Sequence, residues 1–382
     1  MRHKIKHLFL CLLVFLHCSS ANESLQVGAE RTAKYFPLLK DKAIGVVGNQ
    51  SSLIGTTHLV DSLLSAKLQV VKVFSPEHGF RGTADAGAHI ESGIDEQTGL
   101  PIISLYGSNK KPSPSQLEGI EILVFDIQDV GARFYTYIST MHYVMESAAE
   151  NNIPLIVLDR PNPNGHYIDG PILDTAYRSF VGMHPIPIVH GMTIGEYAKM
   201  INGEKWLTDS VECDLTVIPM FGYNKQIPYD LPLKPSPNLP NAQAVNLYPS
   251  LCLFEGTNIS VGRGTDLPFQ HYGAPFLESD YSFVPESGAG AKYPKHEGER
   301  CYGQDLSQFA LLSQLDLSFI IDAYNECPEK EDFFNTFFDK LAGGNTLRLS
   351  IIDGKSEEEI RQSWSEELLE FEQMRNTYII YQ

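Results

Sequence analysis

Short, mostly apolar runs separated by helix-like segments dominate the first half of the chain. Ala43–Val47, Leu68–Phe74, Pro101–Tyr106, Ile120–Asp126, Ile153–Asp159 and Cys213–Ile218 each read as a strand. Between them, residues 57–66, Ser139–Asn151 and Ile194–Ile201 carry helical spacing; Met141, Val144, Met145 and Ala148 fall on one side of the second. A strand that is apolar at every position must be covered on both faces, and strands alternating with helices pair in parallel. The expected class is α/β, with a parallel sheet between two helical layers.

The remainder of the chain reads differently. Residues 219–250 hold Pro228, Pro232, Pro235, Pro237, Pro240 and Pro249, and read as an ordered, meandering loop. Residues 285–298, with Gly288-Ala289-Gly290, read as an exposed loop. The last ~110 residues are more amphipathic, with helices expected near 305–325, 330–341 and 356–374 and short strands at Leu347–Ile352 and Tyr378–Tyr381. A smaller α/β unit is expected there.

The chain opens with Arg2, Lys4 and Lys6, continues through an apolar run from Leu8 to Leu16, and reaches Ser19-Ser20-Ala21. That is the pattern of a secretory signal peptide cleaved after Ala21. The run is shorter than the ~20 residues a bilayer span requires. Lipidation at Cys18 is the alternative, disfavoured by the bulky His17 before it. The expected location is the periplasm.

Charge narrows the partners. The whole chain carries 29 basic and 47 acidic side chains, a net −18. The leader holds three of the basic residues and no acidic one, so the rest stands near −21. Nucleic acids and anionic membrane surfaces reward basic patches, so neither is expected as a partner. An anionic substrate would need a local arginine. Beyond the leader, Cys213, Cys252, Cys301 and Cys327 form no CxxC, which leaves disulfides and buried thiols equally open.

No cofactor motif is present. The first strand runs into Gly48-Asn49-Gln50-Ser51-Ser52, not GxGxxG, and there is no Walker loop, GxSxG or HExxH. Five polar clusters instead follow strands or open helices. They are Glu77-His78 with Arg81; Asp126-Ile127-Gln128-Asp129 through Arg133, Tyr135 and Tyr137; Asp159-Arg160 with Asn162 and Asn164; His190-Gly191-Met192-Thr193, with Glu196 completing a capping box; and Glu255 through Asn258 to Arg263. In a parallel sheet the first three converge on the rim where ligands bind.

Each cluster has a structural alternative. Asp159 can end a strand by pairing with Arg160, and Asn162 and Asn164 suit turns. Asp126 or Asp129 can serve loop amides, Tyr135 and Tyr137 can pack, and His190 can be a core histidine. Glu77, between Pro76 and His78-Gly79, has no evident capping or pairing role and is the leading catalytic candidate. A metal assembled from Glu77, His78, Asp126, Asp129 and His190 fits by ligand type alone.

Four of these stretches, Ser75–Gly82, Phe125–Tyr137, Leu158–Gly165 and Glu255–Asn258, resemble the exo-lytic β-N-acetylmuramidases of the NamZ type, formerly a domain of unknown function. The resemblance runs from about residue 40 to the carboxyl end. It implies a glycoside hydrolase releasing non-reducing-end N-acetylmuramic acid from peptidoglycan fragments, without a cofactor, and a Rossmann-like catalytic domain followed by an auxiliary domain. We divide the chain as leader 1–21, catalytic domain 22–265 and auxiliary domain 266–382. The family's catalytic glutamate carries over to Glu77.

Chemistry fills the remaining roles. Glycosidic cleavage takes a proton donor and a second group at the oxocarbenium-like centre. His78 can orient Glu77, and Asp126 or Asp129 is the expected second group unless the substrate's acetamido group serves. Arg81, Arg133, Arg160 or Arg263 is expected to meet the lactyl carboxylate. Tyr135 or Tyr137 would stack on sugar, and Asp159, Asn162, Asn164, Glu255 and Asn258 would bind hydroxyls. The competing readings are a metal-dependent hydrolase on the same rim and a non-catalytic wall-fragment binder.

Overall fold

The computed structural model describes residues 25–77, 79–81, 92–227 and 229–382. The proposed leader and His78 lie outside these residues. Twelve strands are described: β1 (Ile44–Gly48), β2 (Leu53–Ile54), β3 (Thr57–His58), β4 (Val70–Ser75), β5 (Gly93–Ile94), β6 (Pro101–Ser104), β7 (Ile122–Asp126), β8 (Leu155–Leu158), β9 (Leu215–Ile218), β10 (His271–Ala274), β11 (Tyr281–Phe283) and β12 (Cys301–Asp305). Seven of them form one sheet in the order β5-β6-β4-β1-β7-β8-β9, and every pairing except β5 with β6 is parallel. Counting only the parallel strands along the chain, this is the doubly wound order 3-2-1-4-5-6.

Alternation along each strand assigns two cores. Val47, Phe74, Leu123, Phe125, Leu155 and Val157 pack to one side with α4 (Tyr137–Glu150), α5 (Ile194–Gly203) and α6 (Ala242–Leu251). Val46, Val73, Ile122, Val124, Ile156 and Leu158 pack to the other, with Tyr35 and Leu39 of α1 (Thr32–Leu39) and Leu59, Val60 and Leu63 of α2 (Leu59–Ser65). All five residues of β7 are buried, as a strand covered on both faces requires. Local signals start the helices. Thr193 and Glu196 form the expected capping box of α5. Ser113 and Gln116 form another at α3 (Pro114–Leu117), where Pro114 occupies the first turn.

The carboxyl-terminal part is built on the antiparallel sheet β10-β12-β11 and five helices: α7 (Ser318–Glu326), α8 (Phe338–Ala342), α9 (Thr346–Ile352), α10 (Glu357–Ser363) and α11 (Ser365–Asn376). Two expected strands are absent from it. Residues 347–352 are helical because Leu347, Ser350 and Ile351 reach the core at i, i+3 and i+4. Residues 378–381 are irregular and are tied down by side chains: the Ile380 and Tyr381 amides donate to Glu196, and the Tyr381 hydroxyl donates to Asp159. The helix expected over 305–325 begins only at Ser318. The proline-rich 219–250 segment runs into α6, which tolerates Pro249. The four cysteines among the described residues, Cys213, Cys252, Cys301 and Cys327, are buried and free.

Candidate active site

The doubly wound order puts the topological switch between β1 and β7, whose crossovers leave in opposite directions and open a crevice beyond their carboxyl ends. Three loops meet there: Gly48-Asn49 after β1, Pro76-Glu77 after β4 and Asp126–Asp129 after β7. Glu77 is half-buried, and its carbonyl accepts from the Tyr137 hydroxyl at 3.2 Å. Its side chain lines a cavity of about 260 Å³. The cavity's other walls are Phe134–Tyr137 at the start of α4, Ser236, Asn238 and Leu239 of the proline-rich segment, Tyr248 and Cys252, and the Glu255–Arg263–Phe269 group. Phe337 and Leu341 close it from the carboxyl-terminal side.

Two carboxylates therefore face one cavity, and their surroundings push them apart. Burial lifts the Glu77 carboxyl above its usual range, against a hydrogen bond from Tyr106 and the charges of Arg263 and Lys110. Burial acts on Glu255 as well, but Arg263 and Lys295 outweigh it and hold Glu255 below the usual range. Arg263 Nε donates to Glu255 Oε1 at 2.7 Å, and the guanidinium lies 5.0 Å over the Phe269 ring. Lys295 Nζ sits in a cage of main-chain oxygens, donating to Phe254 at 2.7 Å, Thr257 at 2.7 Å, Ile259 at 3.2 Å and Glu255 at 3.3 Å. This ammonium fixes the loop that presents Glu255. Two carboxyls whose surroundings push their pKa values in opposite directions are what acid-assisted bond cleavage needs.

The other sequence candidates hold the scaffold. Asp126 is fully buried and grips Arg160 in a two-pronged pair, Nε to Oδ1 at 2.6 Å and Nη2 to Oδ2 at 2.8 Å; Arg160 also donates to the Leu53 carbonyl. Neither side chain is free for substrate. Arg81 spends its guanidinium on Asp61 and Asp95. Arg133 is fully buried and donates to the carbonyls of Pro171, Ile186 and Leu341. Of the four candidate arginines, Arg263 lines the cavity and the other three are spent elsewhere.

Asp159 caps the start of α5, accepting from Gly195 N, the Thr193 hydroxyl and the Tyr381 hydroxyl. Asn162 donates to Met192 O, and Asn164 donates to Val130 O and Val245 O, lacing loops together. Asn258 sits near Cys327, away from the cavity lining. Tyr135 and Tyr137 line the cavity, stacked edge-to-face at 4.9 Å, with the Tyr135 hydroxyl tied to Pro235 O.

Asp129 is a separate case. It is buried beside His190, Oδ2 to Nε2 3.8 Å, and accepts from Gly131 N at 2.7 Å. Burial raises it to about 7 and lowers His190 to about 3, so near pH 7 the imidazole is neutral and the carboxyl is midway through its titration. Its Oδ1 and His190 Nε2 have no hydrogen-bond partner, yet neither residue lines the cavity. Among the described residues, which leave out His78, no three His, Cys, Asp or Glu side chains group as metal ligands.

Three contributors escaped the sequence. Tyr106, just past β6, hydrogen-bonds Glu77; its position beyond the end of a parallel strand was the available signal. Lys295 lies in a segment that reads as an exposed loop, and Tyr248 lies on α6 inside a stretch that reads as irregular. Nothing local in the sequence marks either.

Comparison with known proteins agrees with the architecture. The family models "Exo-beta-N-acetylmuramidase NamZ, N-terminal" and "Exo-beta-N-acetylmuramidase NamZ, C-terminal" match residues 44–243 and 246–381, meeting within α6. The peptidoglycan β-N-acetylmuramidase NamZ of Bacillus subtilis strain 168 is 43% identical over 378 residues, which cover 91% of this chain and 89% of that protein. Two crystal structures of DUF1343 family proteins from Bacteroides fragilis superpose with TM-scores of 0.88 and 0.81, at 47% and 28% identity. Each comparison covers 94% of this chain and 99% of the other. The chain belongs to the NamZ family of exo-β-N-acetylmuramidases.

Proposed function

We propose that the protein is a glycoside hydrolase that removes N-acetylmuramic acid from the non-reducing end of peptidoglycan fragments, with Glu77 as proton donor and Glu255 as the charged partner. The observation that carries the assignment of roles is the shared cavity in which burial pushes the Glu77 carboxyl up while Arg263 and Lys295 pull Glu255 down. Glu77 gives its proton to the glycosidic oxygen as the bond from the anomeric carbon breaks and its electron pair moves to that oxygen; a water then bonds the anomeric carbon and returns a proton to the Glu77 carboxylate. The ionised Glu255 offsets the positive charge that develops on the sugar. Arg263 bonds Glu255 through Nε, which leaves its outer N–H groups for the lactyl carboxylate of muramic acid. Tyr135 and Tyr137 supply apolar ring surface for the sugar.

The test is chromophore release from para-nitrophenyl β-N-acetylmuramide, run beside the N-acetylglucosaminide, for wild type and Glu77→Gln. Cleavage of the muramide alone, reduced ~10²–10⁴-fold in the variant, is the expected result. A Glu77→Gln enzyme with wild-type kcat would remove Glu77 from the role. Glu255→Gln is expected to lose turnover as well, with folding intact by circular dichroism.

Export to the periplasm is part of the proposal. It is supported by the leader-like amino terminus. Recovery of activity from the periplasmic fraction, lost on deletion of residues 1–21, is the corresponding check.

A further inference from the structure

We propose that Asn238 reads the 2-acetamido group of the sugar held in the cavity: its side-chain oxygen accepts the amide N–H, and the rings around Tyr248 receive the methyl. The assignment rests on the hydrolytic reading above and names how that site selects an N-acetylated sugar.

Asn238 lines the cavity and is 4% exposed. Its Nδ2 donates to the Gly290 carbonyl at 2.8 Å. A carbonyl can only accept, so that contact fixes which way the amide is turned and makes Oδ1 the atom left over. Among the described residues Oδ1 receives no hydrogen bond, and it is not one of the polar atoms sealed away from solvent. A nearly buried side chain on a cavity wall, held by its donor and left with an accessible acceptor, suits a ligand that brings an N–H. The backbone beneath it is a tight turn. The Asn238 amide donates to Ser236 Oγ at 3.3 Å and the Leu239 amide to the Ser236 carbonyl at 3.0 Å.

Apolar surface adjoins this acceptor. The Tyr248 ring packs near edge-to-face on Phe269, Phe134 and Tyr135, at centroid distances of 5.1, 5.4 and 5.8 Å, and all four rings line the cavity. The Tyr135 hydroxyl donates to the Pro235 carbonyl at 2.9 Å, which ties the ring cluster to the segment bearing Asn238. At the other end of the cluster the Arg263 guanidinium lies 5.0 Å over Phe269. Acceptor, rings and cation therefore follow one another around a single cavity of about 260 Å³, the small end for a ligand site. Muramic acid carries its substituents in the matching order, the acetamido group at C2 and the lactyl carboxylate on the adjacent C3. With the carboxylate at Arg263, the acetamido group falls toward Tyr248 and Asn238.

Calorimetric titration of the full chain tests this without turnover. The ligands are N-acetylmuramic acid, its 2-deoxy counterpart, which keeps the lactyl carboxylate but has no acetamido group, and its N-methylated amide, which has no N–H. Asn238→Ala is expected to bind N-acetylmuramic acid about ten-fold more weakly than wild type and to bind the 2-deoxy ligand with unchanged affinity. Wild type is expected to bind the N-methylated amide about ten-fold more weakly than N-acetylmuramic acid, a comparison that needs no variant. A residue that merely held the Gly290 loop would weaken both the acetamido and the 2-deoxy ligand alike in Asn238→Ala. That outcome, unchanged affinity of Asn238→Ala for N-acetylmuramic acid, equal binding of the N-methylated amide by wild type, or no binding of N-acetylmuramic acid to wild type would each overturn the assignment. A protein that binds in the expected pattern but releases no chromophore from the muramide would uphold Asn238 and sink the hydrolytic reading alone.

Discussion

At the residue scale, acid catalysis depends on how far the surroundings lift Glu77. Tyr106 donates a hydrogen bond that favours the charged carboxylate and so works against burial. Removing that bond as Tyr106→Phe raises the Glu77 pKa further. Because the donor must be protonated, activity is lost as pH climbs through that pKa. The alkaline limb of kcat/KM is therefore expected to move to higher pH in Tyr106→Phe. An unmoved or acid-shifted limb in a pH–rate profile would mean that Tyr106 does not tune the acid. Glu255 has the opposite design, with cations supplied from two separate segments, and neither segment is meaningful without the other.

At the scale of elements, the carboxyl ends of β7 and β8 are joined by the Asp126–Arg160 pair, buried on both sides. Cutting one partner leaves a buried charge uncompensated. Asp126→Asn is expected to cost about 3–5 kcal/mol of stability, read as a lower urea midpoint, and this fold-wide loss separates a structural Asp126 from a catalytic one. The Glu255 loop is held in the same manner against α8. A Cβ at Gly256 would stand 2.4 Å from the Phe338 Cα, so only glycine allows the loop and helix to approach. Gly256→Ala is expected to displace the loop and reduce turnover, read as a lower kcat on the muramide.

For the whole molecule, buried histidines set the acid response. His142 and His271 are lowered to about 4 and His190 to about 3, each chiefly by burial, and His58 and His184 are lowered for the same reason. Such groups bind protons only once unfolded, so acidification below about 6.5 favours the unfolded chain. Asp129 and Asp159, raised by burial to about 7, act in the reverse sense over the same range, since the folded state holds their protons more tightly. Five histidines outweigh two aspartates. The urea midpoint is expected to fall between pH 7 and pH 5; a midpoint that rose would show the aspartates to dominate.

Much of the architecture was legible because it repeats locally. Six mostly apolar runs and their intervening helical spacings specify parallel strands buried on both faces, and the strand ends specify the rim. Glu77 stood out because Pro76 and Gly79 deny it a structural excuse, and the four motifs around it carried the family. What local sequence could not specify is which polar groups pair with each other. Asp126, Arg160, Asp159 and Arg133 look like binding residues, yet each meets its partner across 34 or more positions and is consumed there. Glu255 acquires its role only when Arg263 and Lys295 converge on it, the latter across 40 positions. Periodicity is a property of neighbouring residues and survives in one dimension. A carboxylate's protonation depends on burial and on charges brought near in space, and the folded chain alone brings them together.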